Sequence, residues 1–134
     1  MRRSLLILAL LGSACARNLR PSPSASDQHE APQNAAPDRA IGEGMASYYG
    51  EAFRGRRTAN GERFDPERAT AAHRTMAFDS CLRVENLANG RSVQVRINDR
   101  GPYAKGRLID LSESAARELD MVRQGVARVR LYRC

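Results

Sequence analysis

The sequence predicts a small, mainly β domain, a barrel or a sandwich, with one helix. Three observations carry this prediction. Short runs with an apolar residue at every second position recur from residue 45 to the end, and that is the period of a half-buried strand. Gly, Asn and Asp separate the runs, and closely spaced turn signals belong to barrels and sandwiches. Only residues 112–120 have good helical spacing.

MASYYG (45–50) reads as the first strand. CLRVENL (81–87) and RSVQVRIN (91–98) flank Ala88-Asn89-Gly90, and the Asn-Gly step predicts a hairpin. Val93, Val95 and Ile97 alternate with Gln94, Arg96 and Asn98, so one face of that strand is buried. RLIDL (107–111) is a further strand. In SESAARELD (112–120), Ser112 is the expected N-cap, Glu113 sits in the first turn, and Ala115, Ala116 and Leu119 form an apolar stripe. VARVRLY (126–132) alternates again and closes the domain.

Ahead of this lies MRRSLLILALLGSAC (1–15). Arg2 and Arg3 precede an apolar run from Leu5 to Leu11, then Gly12, Ser13 and Ala14. The run is well short of the ~20 residues of a membrane-spanning helix, and the pattern is that of a cleaved export signal. A Cys placed directly after small residues resembles the lipobox of bacterial lipoproteins. Cys15 would then become the lipidated first residue of a membrane-anchored protein. A plain secretory signal with an incidental Cys is the alternative. Ala16 does not look like an inner-membrane retention signal, which favours the outer membrane. Residues 16–40 are rich in Pro, Ser, Ala, Gln and Asn. They have too few large apolar side chains to offset their ordering entropy, so a disordered tether is expected.

The chain carries 22 Lys and Arg against 15 Asp and Glu, a net charge of +7. Residues 41–134 hold 17 basic and 12 acidic side chains, all the basic ones Arg except Lys105. Such a domain suits an anionic partner: phospholipid, an anionic wall polymer, nucleic acid or cell wall. Export and the lack of a recognition motif argue against nucleic acid. Setting Cys15 aside leaves Cys81 and Cys134. An even pair in an exported protein suggests a disulfide, with two free thiols as the alternative. Two distant Cys and two His lack metal-ligand spacing, so no metal site is expected.

Three titratable residues stand at element edges beside Gly or Ala, where a ligand can approach closely. They are Glu62 in GRRTANGERFD (55–65), His73 in ATAAHRTMAF (69–78) and Asp99 in NDRGP (98–102). Each also has an ordinary reading: a loop-capping Glu, a satisfied core His and a turn Asp. If the fold brings them together they form an acid/base group, which spacing alone does not establish.

GMASYYG, GRRTANGERFD, ATAAHRTMAF, NGRSVQVRINDRGPY and RLIDLSESAARELD together resemble the RlpA family (rare lipoprotein A), in order, over about residues 43–133. TANGE, TAAH and RINDRGP are the specific signatures. The resemblance implies a six-stranded double-psi β-barrel with one short helix, a fold shared with expansins and family-45-type endoglucanases. It implies a lytic transglycosylase that cleaves the β-1,4 bond between N-acetylmuramic acid and N-acetylglucosamine without water, leaving a 1,6-anhydro-muramoyl end. Asp99 falls on the family's catalytic Asp, and His73 and Glu62 on its other two polar positions. Tyr49, Asn60, Asn98 and Arg100 are the implied substrate contacts, and Tyr48 stands where the family has Trp. Asp79-Ser80-Cys81 departs from the family pattern in a way that fits an added disulfide. The sequence stops at Cys134 without the SPOR domain of longer members, so division-site recruitment is not an expectation here.

One carboxyl can donate a proton to the leaving oxygen and later remove one from the C6 hydroxyl, and Asp99 is assigned that double role. Arg100 would oppose a protonated Asp99 if it pointed inward, so it is expected to reach substrate or backbone. Adjacent strand residues face opposite ways, so at most one of Tyr48 and Tyr49 lines the cleft and the other joins the core. The partners expected are peptidoglycan glycan strands, intact or stripped of peptides, and a membrane through the anchor. No cofactor is implied, and the chain is expected to act as a monomer. A non-catalytic, expansin-like wall-binding lipoprotein is the alternative.

Overall fold

The computed structural model describes residues 39–134. The export signal, the lipidation expected at Cys15 and the tether up to residue 38 lie outside the described residues. The strands are β1 (Gly42–Tyr49), β2 (Thr70–Ala72), β3 (Cys81–Asn86), β4 (Ser92–Asp99), β5 (Arg107–Ser112) and β6 (Val126–Arg133). A 3-10 turn covers Glu51–Phe53, and the helix α1 is Glu113–Glu118.

The six strands close a barrel in the order β1-β5-β2-β4-β3-β6. β1 runs parallel to β5, and β2 parallel to β4. The other four neighbouring pairs are antiparallel. Closure leaves no free sheet edge. The alternation read from the sequence is the alternation observed: Leu82, Val84, Val93, Val95, Ile97, Ile109, Leu111, Val129 and Leu131 are buried in one core. Ala115, Ala116 and Leu119 of the helical segment join them.

Besides shifts of a residue or two at element ends, three features differ from the sequence reading, each for a physical reason. β1 begins at Gly42, ahead of the alternating residues, because Gly42–Gly44 pair with Val129–Leu131 of β6. Gly44 lies so close to β5 that a Cβ there would meet Leu108 Cβ at 3.0 Å. β2 was not expected as a strand. Its three residues are all buried, so they offer no alternation to detect. Ser112 does occupy the N-cap position, but its hydroxyl makes no capping bond; it accepts the Thr70 N–H at 3.3 Å and ties α1 to β2.

The hairpin of β3 and β4 forms as expected, with Gly90 at φ +74°. It also closes the C-terminal end of α1. Asn86 and Asn89 each donate a side-chain N–H to Leu119 O at 2.9 Å, and Arg91 Nε donates to Glu118 O at 2.6 Å. These bonds satisfy carbonyls that a helix end leaves without partners. Cys81 and Cys134 are joined, with Cα atoms 5.5 Å apart, stapling the start of β3 to the chain beyond β6.

Candidate active site

Asp99 ends β4, and its place depends on an irregularity in the sheet. Ala71 of β2 pairs with Ile97, but Ala72 pairs with Asp99, so Asn98 is an extra residue on β4. A bulge of this kind re-aims a side chain. Here it brings Asp99 opposite Ala72 instead of leaving it out of step by one position. On its other side Ala72 pairs with Asp110 of β5. Asp99 and Asp110 therefore flank Ala72 from two strands, with backbones about 10 Å apart at two strand spacings. The small Ala72 side chain leaves an open cleft of about 590 Å³, which Ser47, Tyr49, Phe53, Tyr103 and Arg107 also line.

Backbone N–H groups orient the first carboxylate. Asp99 Oδ1 accepts from Ala59 N at 2.9 Å and Arg100 N at 2.8 Å, while Oδ2 has no partner among the described residues. Asp110 Oδ1 accepts the Ser47 hydroxyl, an interaction set by the pairing of Ser47 with Asp110 between β1 and β5. Tyr49 stands two residues beyond Ser47 and so on the same face. Its hydroxyl is buried and unpartnered among the described residues. Burial, and then the charges of Asp99 and Asp110, raise its pKa. The phenol therefore keeps its proton and is a donor close to both acids. Its ring packs edge-on against Phe64 at 4.7 Å. Tyr48 packs against the core with its hydroxyl donating to Val122 O at 3.3 Å, yet it also contributes to the lining of the cleft, so both tyrosines border it where only one was expected.

Glu62, His73, Asn60 and Asn98 do not line this cleft, although the His73 backbone N–H donates to Asp99 O at 3.2 Å. Glu62 lines a neighbouring cleft with Thr70, Arg96 and Asn98. Arg96 grips its carboxylate with two bonds of 2.6 and 2.8 Å. The Asn60 side chain donates to the Glu62 carboxylate at 2.9 Å, and the Asn98 side chain donates to it at 3.3 Å. Asn60, Asn98 and Glu62 thus hold the 58–62 loop on the barrel. His73 Nδ1 accepts the N–H groups of Thr75 and Met76, both at 3.1 Å, and fastens the turn after β2. Burial, then the charges of Arg100 and Arg74, lower its pKa, so the ring is neutral. Arg100 reaches backbone, one of its two expected targets, donating to Met76 O at 2.8 Å and His73 O at 3.3 Å. Its guanidinium also lies 3.9 Å from the Phe78 ring centre. Of the expected set, Asp99, Tyr49 and Arg100 line the same cleft.

Asp110 is the residue that sequence reasoning missed. A signal existed: an acid between buried Ile109 and Leu111 must face away from the core. What it faces is decided by the register with β1 and β2. Among the described residues no three His, Cys, Asp or Glu side chains group as metal ligands.

The lytic transglycolase family model matches residues 41–131. The chain belongs to the RlpA family of lytic transglycolases. A probable endolytic peptidoglycan transglycosylase RlpA from Nostoc sp. is 59% identical over 91 residues, covering 66% of this chain and 24% of that protein. A protein of the same name from Treponema pallidum is 54% identical over 99 residues, 74% of this chain and 31% of that one. The endolytic peptidoglycan transglycosylase RlpA of Campylobacter jejuni is 50% identical over 95 residues, 69% of this chain and 34% of that one. The chain thus aligns with about a quarter to a third of the length of these RlpA relatives. Among solved structures, apo Clavibacter michiganensis expansin matches with a TM-score of 0.55 at 22% identity, covering 69% of this chain and 49% of that one. The Streptomyces papain inhibitor matches at 0.54 and 21% identity, covering 72% of this chain and all of that one. These likenesses concern the fold, and the RlpA-family barrel is a double-psi β-barrel.

The Glu62–Arg96 pair makes stability depend on acid. The Arg96 hydrogen bonds, then that of Asn60, hold the Glu62 carboxyl at about 2, against an ordinary value of 4.5. The stabilisation is complete above pH 4.5 and is lost as pH falls toward 2. Both side chains are about one-third exposed, so solvent screening limits the effect to about 1 kcal/mol. Acid-unfolding curves of the wild type and Glu62→Gln are expected to converge as pH falls toward 2; parallel curves would count against the linkage.

Proposed function

We propose that this domain is a peptidoglycan lytic transglycosylase, cleaving the β-1,4 bond between N-acetylmuramic acid and N-acetylglucosamine to leave a 1,6-anhydro-muramoyl end. The observation that carries the reading is the placement of Asp99 and Asp110 on either side of Ala72 in one open cleft. The names of the aligned relatives, endolytic peptidoglycan transglycosylases, support the substrate and the reaction type.

Asp99 is the acid and then the base. Its Oδ2 gives a proton to the glycosidic oxygen as the C1–O bond breaks. The C6 hydroxyl oxygen then attacks C1, and its proton returns to Asp99. No water is consumed. Asp110, held by Ser47, stabilises the positive charge that builds on C1. Tyr49 lines the cleft, and its buried hydroxyl stays protonated beside both acids. His73 and Glu62 act through the loops they hold: His73 fixes the chain after Ala72, and Glu62 fixes the loop whose Ala59 N–H orients Asp99. Arg100 serves similarly from the backbone side of the cleft. The export-signal pattern and the Cys15 that follows its small residues support a lipid anchor on a bacterial membrane facing the wall, with the outer membrane favoured.

The test is digestion of purified sacculi, intact and amidase-stripped, with the disulfide-bonded protein. Soluble products are then read by mass spectrometry. Anhydro-muramoyl ends are the expected result. Hydrated reducing ends would mean a hydrolase, and no products from protein still bound to sacculi would mean a wall-binding barrel.

A further inference from the structure

Three aromatic rings among the described residues are more than one-third exposed: Phe53 at 40%, Phe78 at 37% and Tyr103 at 78%. Two of them have a charged neighbour on the ring. Arg100 lies on Phe78, and Arg56 stands 5.0 Å from the Phe53 centre. Phe53 also packs against Tyr49, with ring centres 5.6 Å apart. Tyr103 has no such contact, and its hydroxyl has no partner among the described residues. Yet it lines the cleft that holds Asp99 and Asp110. An exposed tyrosine ring leaves a large apolar area in water, so its position calls for a reason.

The segment that carries Tyr103 is tied down on both sides. Arg74 Nε donates to Pro102 O at 2.5 Å, and Arg74 Nη2 to Ala104 O at 3.2 Å and to Arg107 O at 3.0 Å. One guanidinium thus grips the carbonyls immediately before and after Tyr103. Gly101 has φ +115°, and a Cβ there would lie 3.7 Å from Tyr103 Cε2. The edge of the ring therefore rests near a bare Cα. The result is an exposed aromatic ring on a braced backbone, so little ordering entropy is lost when a ligand covers it.

We propose that Tyr103 is a stacking platform for one pyranose ring of the glycan strand, at the rim of the Asp99 cleft, with Arg74 as its positioning residue. The axial C–H bonds of a pyranose present an apolar face that an aromatic ring can cover, while the sugar hydroxyls stay in water. The ring sets where the strand lies along the cleft. This assignment rests on the transglycosylase reading of the same cleft.

The experiment measures binding of soluble glycan strands by calorimetry, in an Asp99→Asn background that prevents turnover. Tyr103→Ala is expected to weaken binding about tenfold, the scale of one aromatic contact. Tyr103→Phe and Tyr103→Trp are expected to stay near the parent, because the ring face and not the hydroxyl makes the contact. Arg74→Ala is expected to give an intermediate loss, without the recovery seen with Phe. Unchanged binding by Tyr103→Ala overturns the proposal, as does an equal loss in Tyr103→Phe. The two readings fail separately. Wild type that releases anhydro ends while Tyr103→Ala binds normally removes only the platform; wild type that neither binds nor cleaves removes both.

Discussion

Asp99→Asn is expected to abolish release of anhydro-muramoyl ends from sacculi while leaving the fold intact. The carboxyl both gives and takes the proton in the proposed reaction, and an amide does neither. General acid–base contributions run to about 10²–10⁴-fold, so product should fall by at least two orders of magnitude. The substitution is structurally mild. The contacts that hold Asp99 are N–H groups of Ala59 and Arg100 donating to one oxygen, and the Asn carbonyl can accept both. Circular dichroism and melting temperature should match the wild type, and sacculus binding should persist. Asp110→Asn keeps an acceptor for Ser47 but removes the second negative charge, so it should slow the reaction without relieving the need for Asp99. Activity retained in Asp99→Asn would remove that residue from the proton transfer. Loss of both folding and activity would make its role structural.

Breaking the Cys81–Cys134 bond should produce the largest change in stability. The two residues are 53 positions apart, and in the chain-entropy model a loop of this length is worth about 4 kcal/mol. The bond joins strands that are already neighbours, since β3 pairs with β6 along its length. The native geometry therefore does not depend on the bond, and its main effect is on the unfolded chain. For a domain of this size, about 4 kcal/mol corresponds to roughly 15–30 °C in melting temperature. Cys81→Ser with Cys134→Ser, or the wild type in reductant, is expected to melt lower by that order with the cleft unchanged. Both cysteines are exposed, so reductant has access. Equal melting of oxidised and reduced protein would mean that the barrel ladders alone set stability.

The readability of this chain in sequence varies with the range of the interactions involved. Val93, Val95 and Ile97 announce β4 because burial on one face imposes period two on neighbouring residues. β6 and β3 are legible for the same reason. Asn89-Gly90 announces the hairpin because Gly takes the positive φ that closes it. β2 is hidden: Thr70, Ala71 and Ala72 are all buried, and three uniformly buried residues carry no period. Ser112 shows a local signal that tertiary structure redirected. It sits where a cap belongs, yet its hydroxyl serves the Thr70 N–H of the neighbouring strand β2.

The candidate site divides along the same line. Sequence and family signature singled out Asp99, Glu62 and His73 as chemically active types at element edges. They did not say that Arg96 would hold Glu62 in an ion pair, or that two backbone N–H groups would engage His73 Nδ1. They passed over Asp110 because an acid alternating with Ile109 and Leu111 looks like any outward strand residue.

By itself the sequence determined the strand faces, the hairpin, the helix, the family and the cysteine pair available for a disulfide. Those depend on residue type and local spacing. Tertiary structure alone decided which acids share a cleft. That rests on the extra residue at Asn98, which brings Asp99 opposite Ala72, and on the register that puts Asp110 on the other side. Register between strands distant in sequence is set by how whole faces pack, and no short stretch of the chain records it.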